Sequence, residues 1–266
     1  MQTIRTLLTD TVARLETDAR PWGISRRGAL MLALFPVFVA GAVALLAVLA
    51  VVAKTPFRPV FRVVTAEDSF LEWPQFFLVL AASLIFGITG VRLLRGGQWL
   101  AGLIYLLLAL GSFFVAGEEI SWGQRVFGWS TPDSLDAINH QGETNVHNIR
   151  LVQRVFSFAV LLGSAYGVAA PLLRQRLWPK ADRPDFAWLY VPPLCLIPAF
   201  FMPFAYRMAH TFVYSGTNFV VVKYGEAPEL CLYFGMAVFA WLNLRRLLPV
   251  TRRAPAVASP ASQRTP

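Results

Sequence analysis

Six stretches of this sequence are each apolar enough and long enough to cross a membrane as a helix. A membrane-crossing helix needs about 20 mostly apolar residues, and the stretches are 28–53, 74–94, 99–116, 151–173, 187–208 and 229–248. The whole chain is 56% hydrophobic and 15% charged, whereas soluble domains carry about 25% charged residues. The sequence therefore predicts an all-α integral membrane protein, a polytopic bundle of about six transmembrane helices.

The distribution of basic residues predicts the orientation of this bundle. Lys and Arg are enriched in cytoplasmic segments of membrane proteins. With the N-terminus inside, 16 of the 24 basic residues fall in inner segments. We therefore expect both termini to be cytoplasmic. The formal charge of +9 is spread in short clusters between apolar runs, as topology signals are, so no nucleic-acid partner is predicted.

The chain divides into three predicted parts. Residues 1–27 space apolar side chains at helical intervals and predict an amphipathic cytoplasmic segment, resting on the inner leaflet or on the protein itself. Residues 28–249 form the six-span membrane domain, with a conspicuous outer loop at 117–150. Residues 250–266 are rich in Ala, Pro, Ser and Arg and predict a disordered cytoplasmic tail.

Two further features affect the later spans. The fifth span carries four prolines, which should kink it, namely Pro192, Pro193, Pro198 and Pro203. The stretch 211–222 is too short and polar for a seventh crossing, so it either dips into the membrane or lies flat on it. The two cysteines, Cys195 and Cys231, lie inside apolar runs and offer no basis for a disulfide framework or a cysteine metal site.

Acidic residues gather at the ends of spans on the predicted outer face. Glu118 and Glu119 follow the third apolar run, Glu72 precedes the second, and Glu229 begins the sixth. Charged groups in a membrane are costly and normally face a partner, a cavity or an ion. We therefore take these four glutamates as candidate catalytic residues. The open alternative is a structural ion-pair network of Glu118 and Glu119 with Arg125, Arg150 or Arg154.

The outer loop adds candidate metal ligands. Glu143 and His147 are four residues apart, so in a helix they face the same way. Together with Glu118 and Glu119 they would bind a divalent metal, for which Zn, Mn or Mg is the candidate. Alternatively, His147 is a hydrogen-bonded loop histidine. Arg125 and Arg154 are candidate anion-binding residues.

The segments "GEEISWGQRVFGW" and "NHQGETNVHN" carry a resemblance. They are similar to a family of uncharacterised bacterial polytopic membrane proteins with a G-E-E-I-S-W-G-Q-R block followed by N-x-Q-G-E-x-N-x-H-N. The matching positions are Glu118, Glu119, Ser121, Trp122, Gln124, Arg125, Asn139, Gln141, Glu143, Asn145, His147 and Asn148. The resemblance implies a multi-pass protein of the bacterial inner (cytoplasmic) membrane and supports the site more than any particular reaction.

Three hypotheses about function follow from these residues. The first is a metal-dependent hydrolase or transferase acting on lipid or lipid-linked envelope substrates, with Glu72 or Glu229 as general base. The second is a non-enzymatic transporter or envelope-assembly accessory protein with an ion or proton site. The third is a purely structural, ion-paired loop. The sequence does not decide whether the chain is an enzyme. Its predicted partners are the bilayer and a lipid or lipid-linked substrate.

Overall fold

The computed structural model describes residues 2–66, 70–132, 150–177, 187–214 and 216–248, and within them all side chains except those of 2–4, 7, 8, 125, 126 and 150. No strand occurs in these ranges. The α-helices are α1 (Gln2–Ala19), α2 (Arg26–Val52), α3 (Phe57–Thr65), α4 (Glu72–Arg95), α5 (Trp99–Glu119), α6 (Gln124–Phe127), α7 (Arg150–Leu177), α8 (Ala187–Tyr190), α9 (Ile197–Met208), α10 (Phe219–Tyr224) and α11 (Glu226–Leu247).

Six helical segments are long and apolar enough to cross a membrane, which confirms the predicted fold class. They are Arg26–Val52, Glu72–Arg95, Trp99–Glu119, Leu151–Leu177, Ala187–Val213 and Phe219–Leu247. The helices extend beyond several of the apolar runs, because the glutamates at their ends are also helical. Glu72 begins α4, Glu119 ends α5 and Glu226 begins α11.

Helices α4 and α5 form a tight antiparallel hairpin. Small residues let the two backbones approach closely, as is usual between membrane helices. A Cβ added at Gly102 would lie 3.0 Å from the carbonyl oxygen of Gly90 and 2.6 Å from Leu94. The Ser83 hydroxyl donates to the carbonyl of Ala109 at 2.8 Å, across the same interface. The hairpin therefore places the start of α4 and the end of α5 at the same end of the bundle.

Helix α11 is the central element of the bundle. It packs against α4, α9 and α2, and most of its residues between Ala227 and Leu244 are buried. Its first turn carries Glu226 and Glu229, whereas its last turn carries Arg245 and Arg246. At about 1.5 Å per residue these two ends are about 30 Å apart. The acidic and basic ends of α11 therefore lie at opposite ends of the bundle.

The fifth span is interrupted, where the sequence predicted only a kink. Helix α8 ends at Tyr190, and Pro193 has extended backbone before a 3₁₀ turn, Leu194–Leu196, leads into α9. Proline lacks an N–H and cannot continue the helical hydrogen bonds. Helix α9 then passes into a π-turn, Ala209–Val213. The stretch predicted to dip or lie flat, 211–222, overlaps the end of this turn and the start of the short helix α10.

The end of α1 is anchored inside the bundle. The Asp18 carboxylate forms an ion pair with Arg174 at 2.5 Å, and both side chains are 1% exposed. The other Asp18 oxygen accepts the N–H of Leu194 at 2.7 Å. The Trp22 ring meets that of Trp188 edge to face, with centroids 5.3 Å apart. The sequence predicted that the N-terminal segment rests either on the inner leaflet or on the protein itself. Its final turn packs on the protein.

Candidate functional site

Four glutamates converge at one end of the bundle, and we call them the carboxylate cluster: Glu72, Glu119, Glu226 and Glu229. Helices α4 and α11 begin side by side, because the Gln75 amide of α4 donates to the backbone carbonyl of Glu226 at 2.7 Å. Helix α5 ends beside them through its hairpin with α4. The charges of Glu229, Glu226 and Glu72 all act on Glu119. Three helices thus supply one acidic site.

Among the described residues, Glu119 is bound by a hydroxyl and not by a cation. The Tyr233 hydroxyl of α11 donates to Glu119 Oε1 at 2.9 Å, and Tyr233 is only 2% exposed. Among the side chains that the structure describes, no basic group lies within salt-bridge distance of Glu119. A partly buried carboxylate with carboxylate neighbours is stabilised by binding a proton or a cation.

The two glutamates of α11 have basic partners. Glu229 forms an ion pair with Arg207 from the end of α9. Glu226 lies 3.5 Å from the Lys223 ammonium, and its carboxylate also accepts from Gln75 at 3.4 Å. The described cations that pair with the cluster, Arg207 and Lys223, therefore lie beside Glu229 and Glu226, whereas Glu119 contacts Tyr233.

The adjacent Glu118 has a different partner. The Trp122 indole donates to Glu118 Oε1 at 2.6 Å, and Glu118 is 5% exposed. The chain reaches this contact through a left-handed turn, because Ser121, Trp122 and Gly123 have φ values of 46°, 54° and 85°. Such values are unusual for Ser and especially for Trp. The motif G-E-E-I-S-W-G thus ends α5 and folds Trp122 back towards the helix.

Gly117 makes room for this turn. A Cβ at Gly117 would lie 2.9 Å from three atoms of the Trp122 ring. The ring also meets Phe114 edge to face, with centroids 5.7 Å apart. Two residues of the motif, Gly117 and Trp122, therefore hold the Glu118 carboxylate in place while Glu119 turns towards α11.

We expect Trp122→Phe to destabilise the protein by about 1–2 kcal/mol, because it removes a hydrogen bond to a buried charged group and keeps most of the ring. Heating the detergent-purified protein with a thiol-reactive dye measures this, since the free cysteines Cys195 and Cys231 are buried. Trp129→Phe is the matched control, because Trp129 stacks on Phe127 in the same loop. Equal losses in both variants would contradict the assigned role of the Trp122–Glu118 hydrogen bond.

The structure brings together three of the four predicted catalytic residues. Glu72, Glu119 and Glu229 meet in the carboxylate cluster, and Glu118 lies beside them in the chain with its own partner. Of the predicted metal ligands, Glu143 and His147 lie outside the described residues. In the described ranges no group of three His, Cys, Asp or Glu side chains is placed to bind a metal. The metal site therefore stays a prediction that depends on the outer loop.

The predicted anion-binding residues have separate outcomes. The side chain of Arg125 lies outside the described part of the chain. Arg154 lines a cleft between α7 and α9, together with Arg207 and His210. It therefore lies on the far side of the Arg207–Glu229 ion pair from the rest of the carboxylate cluster.

Sequence reasoning did not identify the partners of the glutamates. Tyr233, Gln75 and Arg207 each donate to a member of the cluster. A signal for Tyr233 was present, because Glu226, Glu229 and Tyr233 are spaced three and four residues apart and so share one face of a helix. Gln75 and Arg207 could be found only from the packing of α4 and α9 on α11.

The fold and this polar end define an all-helical, multi-pass membrane protein with an acidic site at one end of the bundle. No protein-family model, curated protein or solved structure matches the chain. The similarity of its two motifs to a bacterial membrane protein family stays a prediction.

Proposed function

We propose that the chain is a membrane enzyme, a hydrolase or transferase, whose carboxylate cluster acts on a lipid or lipid-linked substrate of the bacterial cell envelope. The observation that supports this most is the placement of Glu119. Its carboxylate accepts from Tyr233, lies within electrostatic reach of three other carboxylates, and has no described basic partner. A group in such a position exchanges protons readily and is suited to general acid–base catalysis.

The residues around Glu119 would have different roles in catalysis. Tyr233 orients Glu119 by its hydrogen bond, and Arg207 holds Glu229 in place. In this proposal Glu119 transfers the proton when it binds no metal, and Glu72 or Glu229 serves as the acid–base group when Glu119 is a metal ligand. Because α4 and α11 begin at this end of the bundle, the substrate would be reached at the membrane surface and not at the bilayer centre.

A divalent metal, Zn, Mn or Mg, is part of the proposal as a cofactor. Glu118 accepts from the Trp122 indole and Glu119 accepts from the Tyr233 hydroxyl, and the several lone pairs of a carboxylate can accept a hydrogen bond and bind a cation together. Glu143 and His147 would complete the ligand set. When bound, such a metal supplies a hydroxide nucleophile near neutral pH.

The proposed location is the bacterial inner membrane, with both termini in the cytoplasm and the carboxylate cluster outside. Arg245 and Arg246 at the far end of α11, and Arg174 and Arg176 in the last turn of α7, support this orientation, because basic residues favour the cytoplasmic side.

The placement of Glu119 also supports a second candidate. A carboxylate that binds a proton or cation in a membrane protein is suited to a transporter or to an accessory subunit of an envelope-assembly complex. The position of the cluster at one end of the bundle favours the enzyme, because substrate and ion sites of transporters lie near the bilayer midplane.

The experiment compares membranes of a bacterial host that expresses the wild type, Glu119→Gln or Tyr233→Phe. Mass spectrometry of lipids and lipid-linked intermediates should show a species that changes with the wild type. Glu119→Gln should lower that conversion by about 100-fold, because general acid–base groups contribute at least that much. Tyr233→Phe should lower it less, since it only orients the carboxylate.

Glu16→Gln is the control, because Glu16 is a carboxylate that pairs with Arg20 on α1, away from the cluster. Identical lipid profiles for wild type and Glu119→Gln at equal amounts of folded protein would overturn the enzyme proposal. The metal content of the purified protein tests the cofactor separately. It should be about one ion per chain and should fall in Glu118→Ala and His147→Ala.

A further inference from the structure

A polar cleft of about 290 Å³ lies between α7 and α9, next to the carboxylate cluster. Its polar side chains are Gln153, Arg154, Ser157, Arg207, His210 and Thr211. Arg207 connects the two regions, because its guanidinium donates to Ser157 on the cleft side and to Glu229 on the cluster side. The cleft therefore opens at the same end of the bundle as the carboxylates.

The cleft has polar groups that the described chain leaves unsatisfied. Arg207 Nε and His210 Nε2 are both buried and have no hydrogen-bond partner in the described residues. Arg154 is exposed at the mouth of the cleft and forms no salt bridge within the described residues. Buried polar atoms in proteins are nearly always hydrogen-bonded. Three nitrogen-bearing side chains around one cleft thus have bonds available for a ligand.

The chemistry of these groups favours an anion with several oxygens. Guanidinium groups present planar, fixed N–H donors that match phosphate oxygens, often two at a time. Arg154 carries a charge that no described carboxylate balances, whereas the charge of Arg207 is balanced by Glu229. A phosphate group fits this arrangement, because it accepts from both arginines and from His210.

The apolar wall of the cleft indicates that the phosphate is attached to a lipid. Phe158 and Leu161 line the cleft beside the polar residues, and Phe158 is 54% exposed on a membrane-spanning helix. The cleft therefore passes directly from charged side chains to the surface that acyl chains cover. A free phosphate ion would gain nothing from that wall.

We propose that this cleft binds the phosphate of a membrane lipid. The cleft would then hold the headgroup of the substrate beside the carboxylate cluster, a step that rests on the proposed function. Arg154 and His210 contact the phosphate, and Arg207 contacts it while keeping Glu229 in position. The substrate class of the enzyme is then a phosphate-bearing lipid.

Binding is measured by calorimetry on the full chain in an uncharged detergent, with dioctanoyl phosphatidic acid as the probe. Dioctanoylglycerol, which lacks the phosphate, and inorganic phosphate are the comparison ligands. We expect the wild type to bind the phosphatidic acid and not the glycerol. Arg154→Gln should weaken binding about tenfold, as expected for the loss of one charge-assisted hydrogen bond.

Two further variants keep the result interpretable. Arg58→Gln removes an equal charge from an exposed position on α3 and should bind like the wild type. His210→Ala keeps the arginines and should also weaken binding, so it serves if Arg154→Gln does not fold. Equal weakening in Arg58→Gln, no binding by the wild type, or equal affinity for inorganic phosphate would each overturn the lipid-phosphate site. Glu119→Gln separates the two proposals. If it binds the phosphatidic acid normally and also gives the same lipid profile as the wild type, the catalytic proposal alone is rejected and the lipid-phosphate site is retained.

Discussion

Replacement of Arg174 by methionine is expected to destabilise the protein by about 3–5 kcal/mol, the usual effect of breaking a buried ion pair. Both partners are 1% exposed, so Asp18 would lose its ion-pair partner at a site that water does not reach. Asp18 also accepts the N–H of Leu194, which lies at the interrupted fifth span. The loss of Arg174 would therefore loosen the anchor of α1 and the turn before α9 together.

The thiol-reactive dye assay on Cys195 and Cys231 measures this loss, and we expect an unfolding midpoint about 10 °C lower. The double variant Asp18→Asn with Arg174→Met should recover part of the loss, because it removes the buried carboxylate charge along with its ion-pair partner. Arg176→Met, two residues further along the same helix and exposed, is the control. A midpoint for Arg174→Met equal to that of Arg176→Met would contradict this role of the ion pair.

Gly167→Ala is expected to have the second large effect on stability, about 1–3 kcal/mol, which is typical of overpacking a filled core. A Cβ at Gly167 would lie 2.2 Å from Cγ and 2.7 Å from Cβ of Phe200. The Phe200 ring cannot move away easily, because it also packs against Gly235 of α11, where an added Cβ would lie 3.2 Å from it. Helices α7 and α9 would have to separate.

Gly163→Ala is the matched control, because Gly163 lies one turn earlier on α7 and an added Cβ there meets nothing within 4 Å. It should be neutral or slightly stabilising, since alanine favours helices by about 1 kcal/mol over glycine. Heating both variants with the same dye gives the comparison. Equal unfolding temperatures for Gly167→Ala and Gly163→Ala would contradict the close packing of Phe200 between α7 and α11.

Hydropathy was sufficient to predict the six membrane helices, because only a helix satisfies its own backbone hydrogen bonds in lipid. It misplaced several helix ends, because it measures apolar character and not helical backbone. Glu72 and Glu226 are polar, yet each begins a helix. Hydropathy also did not predict the short helix α3 or the break at Pro193. Both depend on local turns, which are shorter than the stretch over which hydropathy is averaged.

The sequence predicted only part of the site, because topology indicates the membrane face of a residue but not its contacts. The topology placed Glu72, Glu119 and Glu229 at one face, and the structure brings their charges together. The contact of Glu119 with Tyr233 joins residues 114 positions apart, and neither motif spacing nor hydropathy specifies which helices touch. The sequence also did not predict the left-handed turn that gives Glu118 its own contact with Trp122.

The central position of α11 has a consequence for how the protein is made. Translation produces α4 and α5 well before α11, so Gln75 and Glu119 enter the membrane before Glu226 and Tyr233 exist. During that interval these two polar side chains need water, headgroups or the insertion machinery as partners. Arrival of α11 supplies both partners at once, and the acidic site therefore becomes complete only when the bundle does.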